Sequence, residues 1–283
     1  MNRGGSTASS RGFTIVETLI VLAVTGTLFV IIAVAINGRQ QKTDFHVGVR
    51  NLQQQFQQII NETASGYYPS NGSFRCNVGL PTRPNLQLLG GTDEQGASRN
   101  CIFIGKTLVV GGAAHTDNYS VFSLAGRRVL ADGITETRNP SEAKVTAIAT
   151  SAVNPSTAFT DTEQNMKLPN GLTFVKARRV GSAWSTNEFA ISFMSSFSNF
   201  QGSETYGTGG SQLLELRGFR NWVSSLPDVD AINRETTITP NFPLITRGVE
   251  MCYRSNGTNQ SVLVSISGGL AVSYKIRNGV ACA

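Results

Sequence analysis

The sequence is short of charge, of histidine and of cysteine. Only 15% of its 283 residues are Asp, Glu, Lys or Arg, there are two histidines, and there are four cysteines. His46 and His115 are far apart, no Gly-x-Ser-x-Gly elbow or phosphate-binding loop occurs, and no nucleophile sits beside a recognisable base. Enzymatic activity is therefore not expected. None of Cys76, Cys101, Cys252 and Cys282 is in Cys-x-x-Cys spacing. With the histidines so separated, a zinc site is not expected either, nor any other metal or cofactor.

What remains is the composition of a globular protein rich in Gly, Ser, Thr and Asn, which favours a β-rich, loop-rich domain over a helical bundle. The chain is long enough for one large or two modest domains. Its net charge of +6 and pI near 9.4 serve solubility, or attraction to nucleic acid or an anionic surface. Sequential pairing, Cys76 with Cys101 and Cys252 with Cys282, is the simplest of three connectivities for four cysteines. Each bridge would contribute about 3 kcal/mol by restricting the unfolded chain, and disulfides place the domain outside a reducing cytosol.

The other outstanding feature is an apolar run from Phe13 to Ile36 carrying a single charge, Glu17. A bilayer core needs roughly 20 such helical residues. A carboxylate inside lipid costs about 2.5 to 3.5 kcal/mol even on insertion scales, so Glu17 calls for a partner. A cleaved secretory signal fits Arg3 and Arg11, but the run is too long and no small-x-small cleavage site follows it. A plain anchor leaves Glu17 unexplained, and a buried core helix lacks later segments apolar enough to surround it. Gly12-Phe13-Thr14-x-x-Glu17 after a short basic leader, followed by an apolar stretch containing Gly26, resembles the prepilin signal of type IV pilins and type II secretion pseudopilins. The chain departs from many pilins in having Val34 where they carry a kinking proline.

That resemblance implies cleavage between Gly12 and Phe13 by a prepilin peptidase that also N-methylates the new terminus. It implies assembly with other pilin or pseudopilin subunits on an inner-membrane platform. Glu17 would pair with the terminal amine of a neighbouring subunit. It further implies a single-pass protein of the bacterial cytoplasmic membrane, later part of a pilus or pseudopilus, with its carboxyl-terminal domain extracytoplasmic. The expected fold is α+β and pilin-like, a long transmembrane helix packed on an antiparallel β-sheet domain. Its parts are a leader (1–12), a transmembrane helix (13–36), an amphipathic continuation (37–66) and a β-rich domain (67–283).

The pattern along the chain agrees with this order. Phe45, Val49, Leu52, Phe56, Ile59 and Ile60 recur at spacings of three and four, predicting a striped helix to about Ala64. Residues 67–100 read as loops stapled by Cys76. Short strands are expected at 101–104, 107–110 and 119–124, and a weak helix near 141–149. Leu172–Lys176 and Glu188–Phe193 read as a hairpin or two neighbouring strands, and 213–219 as a further strand followed by a loop to about Thr239. Val249–Arg254, Ser261–Ser267 and Leu270–Arg277 read as strands, the last two joined at Gly268-Gly269. The Leu-Pro-x-Gly strand at 168–172, the Ile-x-Phe strand at 191–193 and the terminal Gly-Gly hairpin loosely resemble the H-type minor pseudopilins. The resemblance also implies that a Cys252–Cys282 bridge would tie the chain end to the sheet, as a disulfide does in many pilins.

Two further sites are expected to be weighed against plainer readings. Arg254, Lys275 and Arg277 fall on neighbouring strands and form a candidate DNA-binding surface, in the region where DNA-uptake minor pilins carry basic residues. Asp228 and Asp230 read as a solvated loop, because two carboxylates fall short of the six to eight oxygens calcium takes. The Asn-x-Ser/Thr sequences at Asn61, Asn71, Asn118 and Asn256 read as chance in a chain rich in Asn and Ser.

Overall fold

A computed structural model describes residues 14–66, 75–77, 85–87, 102–113, 115–148, 163–196, 214–220, 222, 226, 228–236, 241–255, 259–279 and 282, with backbone only at 33–39, 75–77, 85–87 and 163–164. By internal contacts the chain divides into two units, Met1–Asp44 and Phe45–Ala283. Helix α1 runs over Ile15–Ala64, so its second half belongs to the second unit.

In the first unit the helix surface over Ile15–Ile32 is mainly apolar. Leu19, Ile20, Leu22, Phe29 and Ile31 are all exposed. In the second unit the stripe read from the sequence is buried: Phe45, Val49, Leu52 and Phe56 are each at 0% exposure. It packs against strands of two antiparallel sheets. The four-stranded sheet has the order β12-β11-β10-β7, and the larger sheet runs β5-β4-β3-β8-β9 with β6 also on β4. Their ranges are β3 (Ile102–Gly111), β4 (His115–Gly126), β5 (Thr146–Ala147), β6 (Glu163–Lys167), β7 (Leu172–Arg179), β8 (Phe189–Ser195), β9 (Leu214–Gly218), β10 (Val249–Ser255), β11 (Gln260–Ile266) and β12 (Val272–Asn278). A separate pair, β1 (Arg75–Asn77) and β2 (Asn85–Gln87), lies in the stretch read as loops.

The larger sheet is covered on both faces. Leu108, Val110, Tyr119, Val121, Ile191 and Phe193 join the core under α1. Val109, Phe122, Leu124, Ala190 and Met194 form a second core on the other side, closed in part by Ile232 of α2 (Asp228–Thr236). Strands buried on both faces lose their alternation, as Leu108-Val109-Val110 of β3 does, with Val109 facing one core and its two neighbours the other.

Several expectations are corrected. The strands expected at 101–104 and 107–110 are one strand, β3, with a bulge at Phe103/Gly105. Gly105 is required there because a Cβ would stand 2.1 Å from the Phe193 carbonyl oxygen. The helix expected near 141–149 is instead a turn at Ser141–Lys144 leading into β5. β7 and β8 belong to different sheets and form neither a hairpin nor a neighbouring pair. The loop expected after β9 contains α2, whose first residue is Asp228. The terminal hairpin forms as read, with Ile266 opposite Val272. In its turn the positive φ belongs to Leu270, while Gly268 is needed for close approach: its Cβ would meet the Thr246 oxygen at 2.0 Å.

Candidate functional site

Among the described residues, Ile15–Ile32 is the one helical stretch long and apolar enough to cross a membrane. Thr14 stands just before it. The Glu17 backbone N–H donates to Thr14 Oγ1 at 3.2 Å, so the Thr-x-x-Glu spacing also serves as half of a capping box. A carboxylate in the first turn additionally complements the positive end of the helix dipole. The hydroxyls within the apolar stretch turn back on their own helix: Thr18 donates to the Ile15 oxygen, Thr25 to Val21 and Thr27 to Val24, at 2.8, 2.8 and 2.9 Å. Polar groups satisfied in this way are tolerated in lipid. Glu17 is left as the exposed ionisable group of the stretch, and its carboxylate pairs with no other described residue. Gly12 and Phe13 lie outside the described residues.

Cys252 and Cys282 form a disulfide, with Cα atoms 6.0 Å apart. The expected Cys76–Cys101 pairing lies outside the described residues. The bridge is on the outer face of the four-stranded sheet, opposite the face that Met251, Tyr253, Val262 and Val264 present to the core. Strand register puts Arg254 opposite Ser261, and Ser261 opposite Arg277, so these two arginines share that outer face. Lys275, two residues from Arg277, is on it as well. The structure thus brings the three basic residues to one face. Cys282 lies beside Ser261, which the register puts between the two arginines, its N–H donating to Ser261 Oγ at 3.3 Å. Further along the face Arg178 is paired with Glu250 at 2.6 Å, and Lys176 and Arg178 lie over the Trp184 ring.

A third arrangement was not visible in the sequence. His115 begins β4, Glu188 immediately precedes β8 and Asp228 begins α2. His115 Nε2 is 3.0 Å from Asp228 Oδ2 and 3.6 Å from Glu188 Oε1, and all three side chains are at most 17% exposed. The other polar atoms of two of these groups are held from behind. His115 Nδ1 meets Asn118 Oδ1 at 2.9 Å, and Trp222 Nε1 donates to Glu188 Oε2 at 2.6 Å. Gly112, at φ +69°, lets the β3–β4 turn close on Glu188, whose Cβ would stand 3.0 Å from a Cβ on residue 112. Burial opposes charge on His115, but the hydrogen bond and charge of Asp228, with Asn118 and Glu188, outweigh it and raise the imidazole's pKa. Burial, with the Asp228 charge adding to it, raises the Glu188 carboxyl against the opposing Trp222 hydrogen bond and His115 charge.

No protein-family model, curated protein or solved structure matches this chain.

Of the residues singled out in the sequence, Arg254, Lys275 and Arg277 meet on one face, Cys252 meets Cys282, and Glu17 stands alone. Asp228 leaves its expected loop for a helix start and the side of His115, while Asp230 stays exposed. Sequence reading missed Glu188, Asn118 and Trp222. His115 and Asp228 are 113 residues apart, and no local pattern connects such positions.

Proposed function

We propose that the chain is a structural subunit of a filament of the type IV pilus or type II secretion pseudopilus kind, processed between Gly12 and Phe13 and assembled through its apolar helix. The observation that carries this reading is Glu17: the lone carboxylate of Ile15–Ile32, a helical stretch fit to cross a bilayer, whose threonine hydroxyls turn back on their own helix. A neighbouring subunit's terminal amine supplies the opposite charge that a carboxylate in lipid requires. The disulfide supports an extracytoplasmic second unit, and the buried stripe from Phe45 to Ile60 supports its attachment to the helix. Glu17→Ala is expected to be processed normally and to enter filaments poorly. Incorporation equal to wild type would remove the pairing role.

The shared face of Arg254, Lys275 and Arg277 favours a second reading, a filament-borne subunit that captures DNA. Each phosphate contact adds to the salt dependence of binding. The detergent-solubilised chain should then shift DNA at low salt, and replacing the three residues by Ala should flatten the salt slope. An undiminished slope in that variant excludes the face as the binding surface.

A further inference from the structure

We propose that His115 Nε2, a Glu188 carboxylate oxygen and Asp228 Oδ2 form a binding site for one divalent transition-metal ion of the zinc type. The inference is independent of the filament reading and rests on three features of the cluster.

The first is convergence. The three donor atoms come from different segments, β4, the lead-in to β8 and α2, and lie within 4.8 Å of one another. Donors bound tetrahedrally at zinc's usual bond lengths stand about 3.4 Å apart. The separations of 3.0 and 3.6 Å about Nε2 bracket that value.

The second is orientation. A metal-ligating histidine usually donates its other ring N–H to an oxygen, which fixes the tautomer and aims the free nitrogen at the ion. Asn118 Oδ1 accepts from Nδ1 in this way. Trp222 does the same for Glu188 by holding Oε2 and leaving Oε1 turned toward His115. These are the contacts of ligands supported from outside.

The third is charge. Two carboxylates, with side chains 5% and 17% exposed, face one imidazole. Among the described residues no Lys or Arg pairs with either. With both carboxylates ionised, one negative charge is left even when His115 is protonated, in a site shielded from water where an unbalanced charge is costly. A divalent cation with a neutral imidazole balances both carboxylates, taking the place of the Nε2 proton, which is released to solvent. The imidazole and the three-donor set favour zinc or its neighbours over calcium, which takes six to eight oxygens. A fourth position remains for water.

The plainer alternative is a metal-free ion cluster in which His115 ties the two carboxylates and Asp228 caps α2. The two are separated by titrating Zn²⁺ into tag-free, chelator-stripped full-length protein in detergent, against a chromophoric competitor. The expected result is one bound Zn²⁺ per chain, not displaced by a large excess of Ca²⁺. His115→Ala and Glu188→Gln should abolish it. Asn118→Ala and Trp222→Phe remove no ligand and should weaken it about 10- to 100-fold. Cobalt provides a readout that needs no variant: Co²⁺ should give visible d–d bands on the wild-type chain that Zn²⁺ removes. Absence of a stoichiometric ion on wild type, binding undiminished in His115→Ala, or ready displacement by Ca²⁺ would overturn the proposal.

Discussion

Lys106 lies on β3 at 1% exposure, and the Glu62 carboxylate of α1 holds its ammonium. A buried ammonium is tolerated only with its counter-charge, and removing one partner of such a pair costs far more than replacing both by apolar groups. Glu62→Ala should therefore destabilise the second unit by about 3 kcal/mol. The double variant Glu62→Ala/Lys106→Met should recover most of that loss. Denaturation of the full chain in detergent, followed by near-ultraviolet circular dichroism, measures both. Equal stability of Glu62→Ala and wild type would mean that the pair holds nothing together.

At the scale of elements, the second half of α1 organises the larger core. Phe56 is fully buried and meets Tyr119 edge to face at 5.5 Å, while the Tyr119 hydroxyl donates to Gln55 Oε1. Burial pushes the Tyr119 phenol well above its ordinary pKa, so this donor persists through any working pH. Phe56→Ala should cost about 3 to 5 kcal/mol through the cavity it leaves. Arg50→Ala, on the exposed side of the same helix, should change stability by less than about 0.5 kcal/mol. A comparable loss at both positions would mean that the stripe does not select the buried face. The stripe was legible because helix spacing and one-sided burial write the same pattern. β10, β11 and β12 were legible because turn residues separate them and, on β12, because only one face is covered. β3 was misread as two strands because a bulge at Gly105 interrupts a run buried on both sides. The partners of β7 and β8 were not legible, since sheet membership depends on contacts distant in sequence. α2 escaped because few of its residues, among them Ala231 and Ile232, are apolar and buried.

At the scale of the whole molecule, the two units differ in what they present to their surroundings. The first offers the apolar stretch Ile15–Ile32 with one carboxylate in it, Glu17; the second is a double-core β domain with a basic outer face and a disulfide between Cys252 and Cys282. The His115, Glu188 and Asp228 cluster also belongs to the second unit, and was hidden because three segments separated in sequence build it. The division between an apolar helix and a β-rich remainder was legible from composition alone. The pairing proposed for Glu17 would be made between chains, and so leaves no pattern within one. The central claim concerns how the first unit begins after maturation, and the mass of the amino-terminal peptide from the membrane-associated protein tests it most directly. The account predicts a chain beginning at N-methylated Phe13. A mature chain that keeps the residues before Phe13, or that has lost the whole apolar stretch, would contradict it.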